Sequence, residues 1–248
     1  MESTKLRKPR LLIVGCGDVG LRLLALVRAR YRVFAVTSQP ERVAELRAAG
    51  AVPVVANLDQ PWTLRRLAGL ADRVLLLAPP PGEGVRDSRT RHLLPVLGAG
   101  ARVVYVSTTG VYGDCGGALV RETRRPAPGT GRALRRVDAE QALRRWGVRA
   151  QSRVAILRVP GIYGADRLPL KRLHARTPAL ADACGLPRPP RLPRAELERQ
   201  VAPLLLSFMS ESRQLDNTRL LAELGLRLRY PDVAVTLAAL PARPDSQA

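Results

Sequence analysis

Two rhythms of apolar and polar positions alternate along the chain. Leu11–Val14 is an uninterrupted apolar run, bulky enough for a strand buried on both faces. Leu21, Leu23, Leu24 and Val27 then recur at helical spacing, with Arg22, Arg28 and Arg30 interleaved. The pair of signals repeats. Arg32–Thr37 reads as a second strand, and a helix over Glu41–Ala49 follows, with Ser38 as its cap, Pro40 in its first turn and Gly50 as its stop. Ala51–Val55 is a third strand and Trp62–Leu70 a helix. Arg73–Ala78 is a fourth strand, closed by Pro79-Pro80-Pro81. Asp87–Leu97 reads as helix in spite of Pro95, and Arg102–Ser107 is a fifth strand. Arg132–Trp146 is a long helix and Val154–Arg158 a sixth strand. Strands that alternate with helices across short turns predict an α/β fold with a doubly wound parallel sheet. No internal repeat breaks the ladder, and the Pro/Arg-rich Leu186–Pro193 reads as a linker.

The first turn of this ladder carries chemistry. Gly15-Cys16-Gly17-Asp18-Val19-Gly20 joins strand to helix, which is the context a GxGxxG needs to read as a dinucleotide turn. Gly15 lets the chain turn sharply, and Gly17 lets the backbone approach a pyrophosphate. Gly20 lets the helix pack on the strand, with Asp18 and Val19 opening that helix and the anion held at its N-terminus. The expectation is a Rossmann-type nucleotide site. Cofactor choice rests on the end of strand two, where NAD-binding proteins place an acid for the ribose hydroxyl. This chain has Thr37 and Ser38 there, with Arg42 one helical turn on. Hydroxyls and a cation accommodate a 2′-phosphate, so the expected cofactor is NADP, with NAD the alternative.

Composition adds limits. The 248 residues suffice for one large α/β domain with a small appendage. Cys16, Cys115 and Cys184 are far apart, and His92 and His174 are the histidines, so neither a disulfide framework nor a metal site is expected. Lys5, Arg7, Lys8 and Arg10 before the first apolar run resemble an export signal, but that run is too short for one. No stretch approaches a membrane span, and the chain reads as soluble and cytoplasmic. The net charge is +20, and all but three of the 41 cations (Lys5, Lys8, Lys171) are arginines. They are scattered, with aromatics at 4%, so the expectation is solvated faces and no sequence-specific nucleic-acid surface.

Further motifs carry a family resemblance. Strand five runs into Ser107-Thr108-Thr109-Gly110-Val111-Tyr112-Gly113, and strand six into Leu157-Arg158-Val159-Pro160-Gly161-Ile162-Tyr163-Gly164. Leu215-Asp216-Asn217-Thr218-Arg219-Leu220 and Glu223-Leu224-Gly225 follow near the C-terminus. With the glycine turn, this ordered set resembles the extended and atypical short-chain dehydrogenase/reductases, the group of NAD(P)-dependent epimerases, dehydratases and reductases. The resemblance spans almost the whole chain. It implies an NAD(P)-binding domain over 1–165 and a substrate lobe over 166–248. It makes Thr108 the hydroxyl that polarises a substrate oxygen, and places Thr109, Tyr112 and Tyr163 on the substrate side. Asn57 and Leu58 stand where the family keeps an Asp-Leu pair beside the adenine, and Ala78-Pro79 where the nicotinamide-side ribose passes.

Two departures stand out. The family's Tyr-x-x-x-Lys proton relay falls, counting back from Ala139-Glu140, on Arg132 and Arg136, and arginine cannot relay a proton at neutral pH. Four apart on one helical face, the two would instead clamp an anionic substrate group. The stretch between Gly164 and the C-terminal motif is also short, and His174 within it reads as a lone exposed histidine in preference to a remnant of a longer segment. The expected protein is thus an oxidoreductase or epimerase-like enzyme on a carbonyl or nucleotide-sugar-like small molecule. The alternative is a non-catalytic NAD(P) sensor or scaffold.

Overall fold

The structure is a computed structural model that describes residues 8–162, 193, 196, 199, 211–231 and 235. The chain divides into two compact units. One comprises Met1–Gly113 with Arg125–Pro160, and the other Asp114–Arg124 with Gly161–Ala248. The segment 114–124, expected with the nucleotide-binding domain, therefore groups with the C-terminal residues.

In the first unit, β1 (Arg10–Val14), β2 (Arg32–Thr37), β3 (Val52–Val55), β4 (Arg73–Leu76), β5 (Arg102–Thr108) and β7 (Arg153–Val159) form one parallel sheet. Their spatial order is β3-β2-β1-β4-β5-β7. The winding reverses between β1 and β4, and the C-terminal ends of those two strands flank the crevice where such sheets bind ligands. Leu12, Ile13 and Val14 are all fully buried. Leu12 and Val14 join Val36, Leu76, Val103, Tyr105 and Leu143 on one face, and Ile13 joins Val33, Ala35, Leu24 and Leu46 on the other. This two-sided burial is the physical reason the first strand reads as a continuous apolar run.

The helices are α1 (Asp18–Val27), α2 (Val43–Ala48), α3 (Ser88–Leu93) and α4 (Gly131–Arg149). Three depart from the expected form. Trp62–Leu70 is not an α-helix: Pro61–Leu67 is a 3₁₀ helix, whose three-residue turn brings Leu64 and Leu67 onto one buried edge. The helix before β3 opens with a 3₁₀ turn over Pro40–Arg42, and Ser38 does not cap it. Thr37 Oγ1 instead accepts from the Gln39 amide at 3.1 Å. After α3 the chain tightens into a 3₁₀ turn, Leu94–Val96, because Pro95 has no amide hydrogen to continue the α ladder.

In the second unit, β6 (Leu119–Val120) pairs in parallel with β8 (Gln214–Leu215). Asp114 accepts from the amides of Gly116 and Ser212, which hold its carboxyl below the usual range. The Asp216 side chain caps the turn into α5 (Thr218–Leu224), and α5 ends at Gly225 in the left-handed conformation. Tyr163, His174, Cys184 and the expected linker Leu186–Pro193 lie outside the described residues, apart from Pro193 itself.

Candidate dinucleotide-binding site

Backbone packing shapes the end of β1. Gly15 has φ +85°, and a Cβ there would lie 2.6 Å from both the Cα and the N of Ala78. The glycine thus serves the turn and the close approach of the β4 exit. Ala78 and Leu77 both donate their amides to Val14 O, at 3.0 and 2.9 Å, which fixes that approach. The Gly17 amide donates to Gly15 O at 2.8 Å, and nothing lies within 4 Å of where a Gly17 Cβ would be. Space for a ligand backbone is open on that side. At Gly20 a Cβ would sit 3.0 Å from Cys16 Sγ and 3.5 Å from Ile13, so this glycine sets the fit of α1 against β1. Cys16 is buried between them, and burial pushes its thiol pKa up in spite of nearby Arg42. It fills space and is no nucleophile.

The α1 N-terminus presents amides that no side chain caps. Asp18, in its first turn, pairs with Arg22 at 3.1 Å. Beyond β2 the three expected ribose readers have different environments. Ser38 is exposed. Thr37 is buried, and its hydroxyl braces the turn through Gln39. Arg42 is not a free cation: it donates to Cys16 O at 2.9 Å and to Glu45 at 2.8 Å, tying the β2 exit to the glycine turn. Asn57 Oδ1 accepts from the Asp59 amide, and Leu58 is buried. Asp59 receives a two-pronged ion pair from Arg89, at 2.8 and 2.7 Å, which holds its carboxyl below the usual range. Arg89 also donates to Pro79 O at 3.2 Å and so spans the exits of β3 and β4.

The β5–α4 side is built from buried charge. Thr108 ends β5, and its hydroxyl accepts from the Gly110 amide at 3.2 Å, which leaves its proton free to donate. Thr109 is buried. Tyr112 is 4% exposed with its ring beneath the Arg158 guanidinium, 4.7 Å from the centroid, so it is an internal side chain and not one open to a substrate. The expected clamp of Arg132 with Arg136 does not form. Arg132 is exposed, whereas Arg136 is turned into the sheet and donates to Tyr105 Oη at 2.8 Å and Val106 O at 3.0 Å. A ring face and a strand carbonyl have captured it (5.4 Å from guanidinium to centroid). Burial pushes Tyr105 up to about 12, against the pull of Arg136.

Two further constellations escaped the sequence reading. Glu140, fully buried, accepts from Ser107 Oγ at 2.8 Å and from Arg158 at 3.1 and 2.7 Å, with Arg144 at 3.3 Å. Asp87 caps α3 through Thr90 and is itself buried, which raises its pKa. Its amide donates to Asp138, which also receives both prongs of Arg91. The Asp87-x-x-Thr90 cap was a readable local signal. The cross-chain partners had none.

The glycine turn, the parallel six-stranded sheet and the reversal between β1 and β4 define a Rossmann-like class of fold. The TrkA-N domain model matches residues 11–78, from β1 to the exit of β4. No curated protein matches the chain. Among solved structures, a conserved protein of unknown function from Silicibacter pomeroyi is 25% identical, with a TM-score of 0.72, covering 94% of this chain and 98% of that one. A structure assigned as an NAD-dependent epimerase/dehydratase from Methylobacillus flagellatus is 24% identical, with a TM-score of 0.63, covering 94% and 97%. UDP-glucuronic acid 4-epimerase from Bacillus cereus, solved with NAD, is 20% identical, with a TM-score of 0.54, covering 66% of this chain and 61% of that one. The structural neighbours are thus epimerase/dehydratase and short-chain dehydrogenase/reductase proteins, as the motifs implied, and this chain has their fold.

Proposed function

We propose that this protein binds a nicotinamide dinucleotide across the C-terminal ends of β1 and β4, NADP in preference to NAD. The carrying observation is the glycine turn: an open flank at Gly17, uncapped α1 amides behind it, and a close approach at Gly15. These features fit a pyrophosphate at a helix N-terminus. Ser38, with Arg42 behind it, would read the ribose, and Ala78-Pro79 would border the path toward the nicotinamide. When bound, the dinucleotide supplies or accepts hydride. Thr108 would donate a hydrogen bond to the oxygen of a carbonyl or nucleotide-sugar-like small molecule, as oxidoreductases and epimerases of this fold require. We place this activity in the cytoplasm, on a soluble protein.

The second reading is a non-catalytic NAD(P) sensor or scaffold. It is favoured by Arg136, which stands at the family's lysine position and is consumed by Tyr105 and Val106. Neither it nor exposed Arg132 can pass a proton at neutral pH. Calorimetric titration with NADP and NAD tests the site itself. Gly17→Val should abolish binding by filling the open flank, and Ser38→Asp should lower the NADP/NAD affinity ratio. Unchanged binding in Gly17→Val would overturn the assignment. NADPH oxidation with carbonyl and UDP-sugar panels then divides the readings. Turnover of ~1 per second or more on any of them selects the enzyme. Tight binding without turnover selects the sensor.

A further inference from the structure

The arginines are not evenly spread over the first unit. Five neighbouring strands, β2, β1, β4, β5 and β7, each begin with arginine: Arg32, Arg10, Arg73, Arg102 and Arg153. Register aligns them. Arg10 faces Arg32, Arg102 faces both Arg73 and Arg153, and Arg73 is one residue out of step with Arg10. With strands ~4.8 Å apart, five arginine positions cross the N-terminal edge of the sheet in ~19 Å, and the one-residue step puts Arg10 and Arg32 on one face of that edge and Arg73, Arg102 and Arg153 on the other. Four are exposed, and Arg73, half-buried, pairs with Asp72 at 3.1 Å. At one end the row opens into a cleft of ≈ 370 Å³ lined by Lys8, Arg10, Arg28 and Arg32 together with Tyr31.

Acids are sparse at this edge. Asp18, Glu41, Glu45, Asp59 and Asp87 all follow C-terminal ends of strands. Among the described residues, the short turns leading into the five strands carry one acid, Asp72. Compositional drift would scatter both signs alike. Cations at helix C-termini, such as Arg28 after α1, also answer a helix dipole. A strand has no such dipole to answer, so the strand-leading row needs another account.

We propose that this edge, remote from the dinucleotide site, is a binding surface for the phosphate backbone of duplex nucleic acid, read without base recognition. A linear row fits a linear polyanion: ~19 Å spans about five or six phosphates of one duplex strand, at about 3.4 Å per step. Tyr31, in the cleft at one end, is the aromatic beside the row, and a single ring gives no platform for stacking successive single-stranded bases.

The test is fluorescence anisotropy of the full chain with a labelled 20-base-pair DNA duplex, titrated across salt. The row variant Arg10→Gln/Arg32→Gln/Arg153→Gln is compared with Arg124→Gln/Arg125→Gln/Arg227→Gln, which removes the same charge from exposed positions elsewhere. The row variant should weaken binding at low salt at least tenfold and flatten the slope of log affinity against log salt by about 2.7, or 0.9 per lost phosphate contact. The control should stay within twofold, and both should melt like the wild type. Equal loss in the two variants would overturn the proposal, reducing the effect to net charge. So would tighter binding to a single strand, or binding confined to vesicles of phosphatidylserine.

Discussion

The two sides of the crevice solve their packing in opposite ways. At the exits of β1 and β4 the backbone does the shaping. A Cβ on Gly15 would lie 2.6 Å from the Ala78 main chain and the amides of Leu77 and Ala78 share one carbonyl, while ion pairs stay at the rim. Between β5 and α4, side chains do it. A fully buried carboxylate binds a hydroxyl and a guanidinium, and a second buried guanidinium is spent on a tyrosine. The first arrangement leaves open space beside Gly17 for a ligand. The second fills the β5–α4 side with buried charge. One fold can therefore be shaped by its backbone on one side of the crevice and by structural charge on the other.

The sharpest way to break this contrast is at Glu140. Glu140→Ala removes the carboxylate that Arg158 (12% side-chain exposure) and Ser107 both bind, leaving Tyr112 as a further partner of Arg158. Stripping one partner from a buried ion pair costs about 3–5 kcal/mol, and urea denaturation should show a loss of that size. A loss below about 1 kcal/mol would mean that water already screens the network, and that the β5–α4 side is not built on buried charge.

On the backbone side, Gly15→Ala should cost about 2–4 kcal/mol. It combines overpacking against the Ala78 main chain with a positive φ unsuited to a Cβ. Gly17→Ala, with nothing near its Cβ, should stay within about 0.5 kcal/mol. Thermal melting of the two variants side by side measures the difference. Equal melting points would show that the β4 exit relaxes freely, and the claim of a backbone-shaped site would fail.

The same contrast explains what could be read from the sequence. The parallel α/β ladder, most of each strand's span and the glycine turn were legible because their signals are local: apolar runs, helical spacing, and three glycines within six residues. The 3₁₀ segment at Pro61–Leu67 was missed because Leu64 and Leu67 suit a three-residue turn as well as an α-helical one. The buried charges were missed for a different reason. Ser107 and Glu140 lie 33 residues apart, and Asp87 and Asp138 lie 51 apart. A lone arginine or carboxylate in sequence reads as solvated until topology supplies its partner. Arg136 shows the cost of that limit. Helical spacing paired it with Arg132, but Tyr105 on the strand beneath had the stronger claim.

The smallest effect concerns Asp138, which joins α4 to α3 through Arg91 and the Asp87 amide. Burial works to raise its pKa. The Arg91 guanidinium and the Asp87 amide outweigh this and hold its carboxyl below the usual range. A carboxylate with a depressed folded pKa contributes stability above its ordinary value, and that contribution is lost as pH falls through the folded value. Asp87 has the opposite sign: its pKa is raised, chiefly by burial, so its ionisation lowers stability as pH climbs from the ordinary carboxylate value through the raised one. Asp138→Asn should therefore cost about 1–2 kcal/mol at neutral pH. Urea midpoints taken from pH 3 to 7 should show the wild-type advantage shrinking toward acid, with the variant's profile the flatter of the two. If the gap between wild type and variant is constant across that range, the charge on Asp138 contributes nothing. The junction of α3 and α4 would then rest on hydrogen bonds that an amide supplies equally well.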